Sequence, residues 1–296
     1  MSVADHRYLI ICGAPKAGTT SLFTYLAGHP QICGAALKET RFFIDTDYPL
    51  ASSARFDGTN IERYGEFYKQ CSVDREQVRL EATPDYLYSR QALQIAQLLP
   101  NAKIVFILRD PIERLVSYYK YSKQLCFIDN TVSFSEYVQM QMNSEIANST
   151  PIHLRALEHG QYERYLPAFR NEFPGRMMEV AFDELRDRPD AVLKRICEFS
   201  AIEAGYFERH HFSIENESFA VRNQYVQRLY YSLLIKLSHY FHNKPTALAC
   251  LRLPNKLIKQ LLSANKTTTE KVGVDSAIRE YLANYYRGHY KKNANE

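Results

Sequence analysis

The chain lacks several features that would each have fixed its class. No apolar run reaches the roughly eighteen residues a bilayer span needs, so no transmembrane helix is expected. The opening segment, Met1 to Arg7, carries no hydrophobic signal core, which implies a cytoplasmic protein. Six cysteines (Cys12, Cys33, Cys71, Cys126, Cys197 and Cys250) form neither a C-x-x-C pair nor a Cys/His set at zinc spacing. They read as reduced, mostly buried thiols. None of His29, His153, His159, His210 or His211 stands at metal spacing with another ligand, so no metal is expected. There is no G-x-S-x-G nucleophile elbow, no internal repeat and no low-complexity linker. Residues 1–296 therefore read as a single domain. The net charge of +4 suits a small anionic ligand and says little for nucleic acid, which is not an expected partner.

What is present is a strand–helix alternation. Apolar runs predict strands over 7–12, 31–34, 78–82, 103–108 and 177–182, and helical patterns separate them. This argues a three-layer α/β/α fold around a central parallel sheet. A first helix is expected over 19–27, with Leu22, Phe23 and Leu26 toward the sheet and Gly28 and Pro30 ending it. A second follows the strand at 103–108, with Asp110 as N-cap, Pro111 in the first turn and Glu113 closing an acidic capping box. Further helices are expected over 90–98, 133–143, 160–172 and 188–200. Over 223–263, Val226, Leu229, Tyr230, Leu233, Leu234, Leu237, Tyr240 and Phe241 recur at helical spacing. Two readings stay open for it: a helix on the core, or an amphipathic lid touching an apolar acceptor or a membrane surface.

Gly13-Ala14-Pro15-Lys16-Ala17-Gly18-Thr19-Thr20 lies between the first strand and the first helix. Such a loop offers backbone N–H groups and the positive end of a helix to an anion. It departs from G-x-x-x-x-G-K-[ST] because Thr19 stands at the lysine position, and the cation is Lys16, three residues earlier. Arg109 ends the fourth strand at the edge where open α/β sheets bind ligands, and Ser117 lies two turns into the next helix. Ile112, Leu115, Val116 and Tyr119 read as that helix's buried stripe, leaving Arg114, Ser117 and Tyr121 on another face. An arginine fork and a hydroxyl so placed can grip a second phosphate.

With these two segments the chain resembles the sulfotransferases that use 3′-phosphoadenosine 5′-phosphosulfate (PAPS), in the branch that includes bacterial and heparan sulfate enzymes. Pro15 to Leu22 is similar to that family's 5′-phosphosulfate loop, and Arg109 to Tyr119 to its 3′-phosphate site. Lys38-Glu39-Thr40-Arg41-Phe42-Phe43 resembles K-E-x-H-F-F, and Glu81-Ala82-Thr83-Pro84-Asp85-Tyr86 resembles E-K-[ST]-P-x-Y. Gly160-Gln161-Tyr162, Phe182 to Phe199 and Val274 to Tyr286 resemble later framework segments.

The resemblance implies a sulfotransferase-like fold, PAPS as co-substrate without a metal, and a small-molecule or glycan acceptor. By the same resemblance Lys16, Ala17, Gly18, Thr19, Thr20 and Ser21 hold the 5′-phosphosulfate, and Arg109 and Ser117 the 3′-phosphate. Lys266 and Thr267 are a loose stand-in on the adenine side, where K-G-R is absent. Glu39 matches the catalytic base, and Asp45 and Asp85 are lesser candidates. Arg41 in place of histidine and Ala82 in place of lysine set acceptor positioning apart from the heparan-modifying enzymes.

The chemistry fits. Sulfuryl transfer is an in-line displacement akin to phosphoryl transfer, served by positioning and charge stabilisation. Lys16 would steady the leaving phosphate, and Glu39 would take the acceptor proton. Two alternatives stay open, a P-loop nucleotide kinase and an inactive nucleotide-binding protein on the same fold. Against the kinase, Arg109 stands where a metal-binding acid would end the strand.

Overall fold

The computed structural model of the chain describes residues 2–50, 52, 54–72, 77–143, 150–209, 212, 220–221, 223–225, 227, 265–267 and 272–288. The elements, in chain order, are β1 (Arg7–Gly13), α1 (Thr19–Ala27), β2 (Ile32–Gly34), β3 (Val78–Ala82), α2 (Ile95–Leu98), β4 (Ala102–Leu108), α3 (Pro111–Gln124), α4 (Phe134–Met142), α5 (Leu166–Glu172), β5 (Met177–Ala181), α6 (Phe182–Asp187), α7 (Pro189–Ser200), β6 (Ala220–Val221), β7 (Lys266–Thr267) and α8 (Ser276–Tyr285). The segment 223–263, read above as a core helix or lid, lies outside the described residues apart from 223–225 and 227.

Five of the strands make one parallel sheet in the order β2-β3-β1-β4-β5. Its centre is apolar on both faces, as a parallel sheet flanked by helices requires: Leu9, Ile10 and Ile11 of β1 and Ile104, Val105, Phe106 and Ile107 of β4 are all fully buried. The chain returns to the same end of the sheet after each strand. All five carboxyl ends therefore open on one edge. β1 delivers the 14–18 loop there, β2 the segment Lys38–Arg41, β3 the segment Thr83–Asp85, β4 Arg109, and β5 Phe182. This is the edge at which open α/β sheets carry their sites.

The segment 38–41 is fixed to β3 by a buried carboxylate. Glu81 accepts hydrogen bonds from the hydroxyls of Thr40, Tyr64 (2.6 Å), Thr83 (3.2 Å) and Tyr86 (3.1 Å). Burial pushes its acidity down, and these four donors work against that. Helix α3 begins as expected, with the Asp110 carboxylate accepting from the backbone N–H of Ile112 and Glu113 at 3.0 Å each. Among the described residues Glu113 does not return the bond, so the cap is one-sided.

Two expectations are corrected. Arg114 is not on an open face of α3; it is fully buried, and its guanidinium donates to the Ala156 carbonyl. The turns at 155–160 and Tyr286, just past α8, cover that side of α3, a tertiary contact no helical spacing reveals. Tyr286 donates to the Leu157 carbonyl at 2.9 Å. Cys33 and Cys71 are not free thiols but a disulfide, because β2 and the 3-10 turn over Ile61–Tyr68 bring them to a Cα separation of 5.8 Å. The aromatics Phe42, Phe43, Tyr48, Tyr86 and Tyr88 belong to the core, with exposures of 9% or less.

Candidate active site

A cavity of about 880 Å³ opens at the carboxyl edge of the sheet. Pro15, Lys16, Gly18, Thr19, Thr20 and Ser21 line one part of it, and Arg109, Ser117 and Phe182 lie beside them. Lys38, Glu39, Arg41 and Asp85 line the other. The structure thus gathers into one space most of the residues singled out from two distant segments.

The loop takes its shape from Gly18. Its φ of +89° is one that side-chain-bearing residues avoid, and a Cβ there would stand 3.0 Å from the Phe182 ring. Helix α1 starts at the next residue, so the N–H groups of its first turn have no partner within the helix and point to the cavity end. Ala17 is buried, and its N–H goes to the Ala14 carbonyl at 3.2 Å, so this amide serves the turn.

Two cations converge above the loop. Lys16 Nζ sits 4.1 Å from the centre of the Tyr121 ring, and the Arg109 guanidinium 4.6 Å from that of Phe182. Arg109 also reaches the Lys16 carbonyl through a long contact of 3.5 Å, and Tyr162 holds the Arg109 carbonyl at 3.0 Å. Neither cation has an ion pair among the described residues. Burial, with Arg109 and Lys38 nearby, pulls Lys16 down to about 8. Two unneutralised cations on aromatic platforms, beside a helix N-terminus, make a site for an anion with more than one charged group.

The spacing of α3 places Ser117, Tyr118, Tyr121, Gln124 and Leu125 on the cavity. Tyr121 and Phe182 serve as platforms that the sequence reading did not assign. The signal for Tyr121 was its position one turn beyond Ser117; for Phe182 there was none, because its contact with Gly18 is made only in the fold. Lys266 and Thr267 form β7, paired antiparallel with β6, and Thr268 and Thr269 lie outside the described residues.

At the other end, Glu39 is held between Lys38 Nζ at 3.1 Å and Arg41 Nη2 at 2.9 Å. Burial raises its pKa, but the two cations together outweigh it and hold the carboxyl below its ordinary value. Asp45, one of the lesser candidates, is occupied elsewhere: it accepts from the Ser89 hydroxyl and the N–H groups of Arg90 and Gln91 and starts a turn. Asp85 does reach the cavity. It is almost fully buried, Tyr48 donates to its Oδ1 at 2.8 Å, and burial pushes it up to about 6. Among the described residues no group of His, Cys, Asp and Glu is arranged to hold a metal ion.

A three-layer α/β fold with an anion-binding loop after β1 and an arginine at the end of β4 is one class of nucleotide-site architecture, and comparison with known proteins narrows it. The sulfotransferase domain model matches residues 6–232. The chain belongs to the sulfotransferase family. It is 26% identical over 213 residues to the bifunctional heparan sulfate N-deacetylase/N-sulfotransferase 1 of Caenorhabditis briggsae, covering 68% of this chain and 23% of that protein. It is 22% identical over 212 residues to the heparan sulfate glucosamine 3-O-sulfotransferase 3B1 of Mus musculus, covering 71% of this chain and 50% of that one. The chain thus spans a quarter to a half of these curated relatives. In three dimensions it matches the crystal structure of a sulfotransferase from Alicyclobacillus acidocaldarius with a TM-score of 0.58 at 22% identity, over 82% of this chain and 98% of that one.

Proposed function

We propose that this protein transfers the sulfuryl group of PAPS to a hydroxyl, or less readily an amine, of a small-molecule or glycan acceptor. The observation that carries the reading is the pair of cations, Lys16 and Arg109, that converge on one loop-and-helix cradle with no ion pair among the described residues. They suit a nucleotide with a 5′ and a 3′ anionic group. The α1 N-terminus, with Thr19, Thr20 and Ser21, holds the 5′ group, and Arg109 with Ser117 the 3′-phosphate. Lys266 and Thr267 lie on the adenine side in this reading.

PAPS supplies the activated sulfuryl group; the chain's own residues position it and manage charge and protons. Lys16 opposes negative charge that grows on the leaving phosphate. Glu39 takes the acceptor proton. Its hold by Lys38 and Arg41 keeps it ionised and aimed, at the cost of basicity, so acceptor entry must loosen at least one of those pairs before the carboxylate can act. The test is release of 3′-phosphoadenosine 5′-phosphate (PAP) from PAPS in the presence of EDTA and a panel of alcohols. Acceptor-dependent release without metal is expected. No PAP release from PAPS, with acceptor-dependent conversion of ATP to ADP in the presence of magnesium, would overturn the assignment in favour of a kinase.

The place of action read from the sequence, the cytoplasm, belongs to this proposal and meets one opposing observation. The Cys33–Cys71 bridge persists most readily in an oxidising compartment. No helix among the described residues is long and apolar enough to cross a membrane. Alkylation of the protein in intact cells, followed by reduction and mass spectrometry, separates the cases. Both cysteines blocked before reduction marks a reducing compartment; neither blocked marks an oxidising one.

A further inference from the structure

The charges of the cavity are unevenly distributed. The nucleotide end carries Lys16 and Arg109, and among the described residues no carboxylate is paired to either. The acceptor end carries Lys38 and Arg41 against Glu39 and Asp85, two of each sign. Both of those cations are engaged on Glu39, and Asp85 has no ion pair among the described residues. Tyr48 takes its Oδ1 at 2.8 Å. Oδ2 makes no hydrogen bond among the described residues, and the residue lines the cavity. The neighbouring wall is largely apolar: Pro49, Leu50, Leu125, Phe127 and Ile152, with Phe127 half-exposed and stacked on His153 at 5.0 Å.

From this arrangement, and resting on the sulfuryl-transfer reading above, we infer that Asp85 is an acceptor-positioning residue that selects an uncharged alcohol with an apolar or ring body. Its Oδ2 accepts a hydrogen bond from a donor group next to the hydroxyl that is sulfated. An anionic acceptor would meet a nearly buried carboxylate, while Lys38 and Arg41 already share their charge with Glu39. Glu81, by contrast, has both oxygens occupied by hydroxyls and no share in the cavity lining, so it holds the backbone and does not read the acceptor. A neutral, ring-bearing molecule finds the apolar wall at one side and a single acceptor oxygen at the other.

The experiment compares 4-nitrophenyl β-glucoside with 4-nitrophenyl β-glucuronide, which differ only in a hydroxymethyl against a carboxylate. PAP release from PAPS is the readout, and PAP affinity is measured in parallel by calorimetry. In the wild type the glucoside is expected to lead in kcat/KM by about tenfold or more. Asp85→Asn removes the charge and should bring the two substrates within about threefold, raising KM for the glucoside more than it lowers kcat, with PAP affinity unchanged. Tyr48→Phe disturbs the same packing but leaves the charge, and should keep the preference. Asp85→Ser serves in place of the Asn variant should that one not fold. A wild type that prefers the glucuronide, that turns over neither sugar while still binding PAP, or whose preference survives the loss of Asp85, overturns the inference. Failure of the wild type to bind PAP overturns instead the reading of the whole site.

Discussion

Substituting Gly18 by alanine strikes a backbone position on which the proposed nucleotide cradle depends. The residue sits at φ +89°, and forcing an L-residue there costs about 1–2 kcal/mol. The new Cβ also meets the Phe182 ring at 3.0 and 3.1 Å, tighter than carbon atoms tolerate, so the ring must yield. That ring lies under the Arg109 guanidinium at 4.6 Å, so its displacement carries the arginine with it. Gly18→Ala should therefore lower stability by about 2 kcal/mol in urea unfolding. It should weaken PAP by about tenfold, or 1.4 kcal/mol, in calorimetry. A double-mutant cycle with Phe182→Leu separates the two causes. If backbone strain alone acts, the effects add; if the ring contact acts, the double variant loses less than the sum by about 0.5 kcal/mol or more. A Gly18→Ala protein that melts and binds PAP like the wild type would refute this account of the loop.

Lys16 gives a pH prediction with opposite signs for two observables. Its folded-state pKa, about 8, lies below its unfolded value. The unfolded chain therefore binds the extra proton, and this group's contribution to stability rises as pH climbs through and above 8. PAP affinity, which needs the charged form, should fall over the same range. The difference between wild type and Lys16→Met in both measurements isolates the group, and parallel curves for the two proteins would count against it. Glu39→Gln should lower turnover by about 10²–10⁴-fold while leaving PAP affinity alone; an equal loss of both would place Glu39 in nucleotide binding instead. Glu81→Gln breaks a buried network of four donors and should cost about 3 kcal/mol in chemical unfolding, whereas a loss under 1 kcal/mol would show the network to be dispensable. Reduction of the Cys33–Cys71 bridge, which spans 38 residues, should cost about 4 kcal/mol by loop-closure entropy, read from urea curves with and without reductant. Identical curves would mean that the bridge does not constrain the unfolded chain.

The five strands of the sheet were legible because β1 and β4 are continuous apolar runs, which only a sheet buried on both faces can use. Helix α3 was legible through Asp110 and Pro111, whose preferences are local. What the sequence concealed was tertiary. Arg114 looks like a surface residue by helical spacing and is buried because two distant segments fold over it. The Cys33–Cys71 pairing depends on the placement of a 3-10 turn beside β2. The five aromatics after β2 and β3 carried no sign of which way they faced; in the fold Tyr86 turns onto Glu81, Tyr48 onto Asp85 and Tyr88 onto the His159 carbonyl. Among the cavity-lining residues, Lys16, Arg109 and Ser117 were singled out from motif and spacing, and Glu39 through the family resemblance. That Glu39 is neutralised twice while Asp85 has no ion pair among the described residues needed coordinates.

The central claim is that the cradle binds a nucleotide carrying both a 5′ and a 3′ anionic group, and it rests on Lys16 and Arg109 together. Calorimetric titration of PAP, set beside ATP with magnesium, in wild type and in Arg109→Ala tests it most directly. Binding of PAP without metal, lost by about a hundredfold in Arg109→Ala while Ser117→Ala loses less, is the expected result. Tight binding of ATP with magnesium, indifferent to Arg109, would contradict the account.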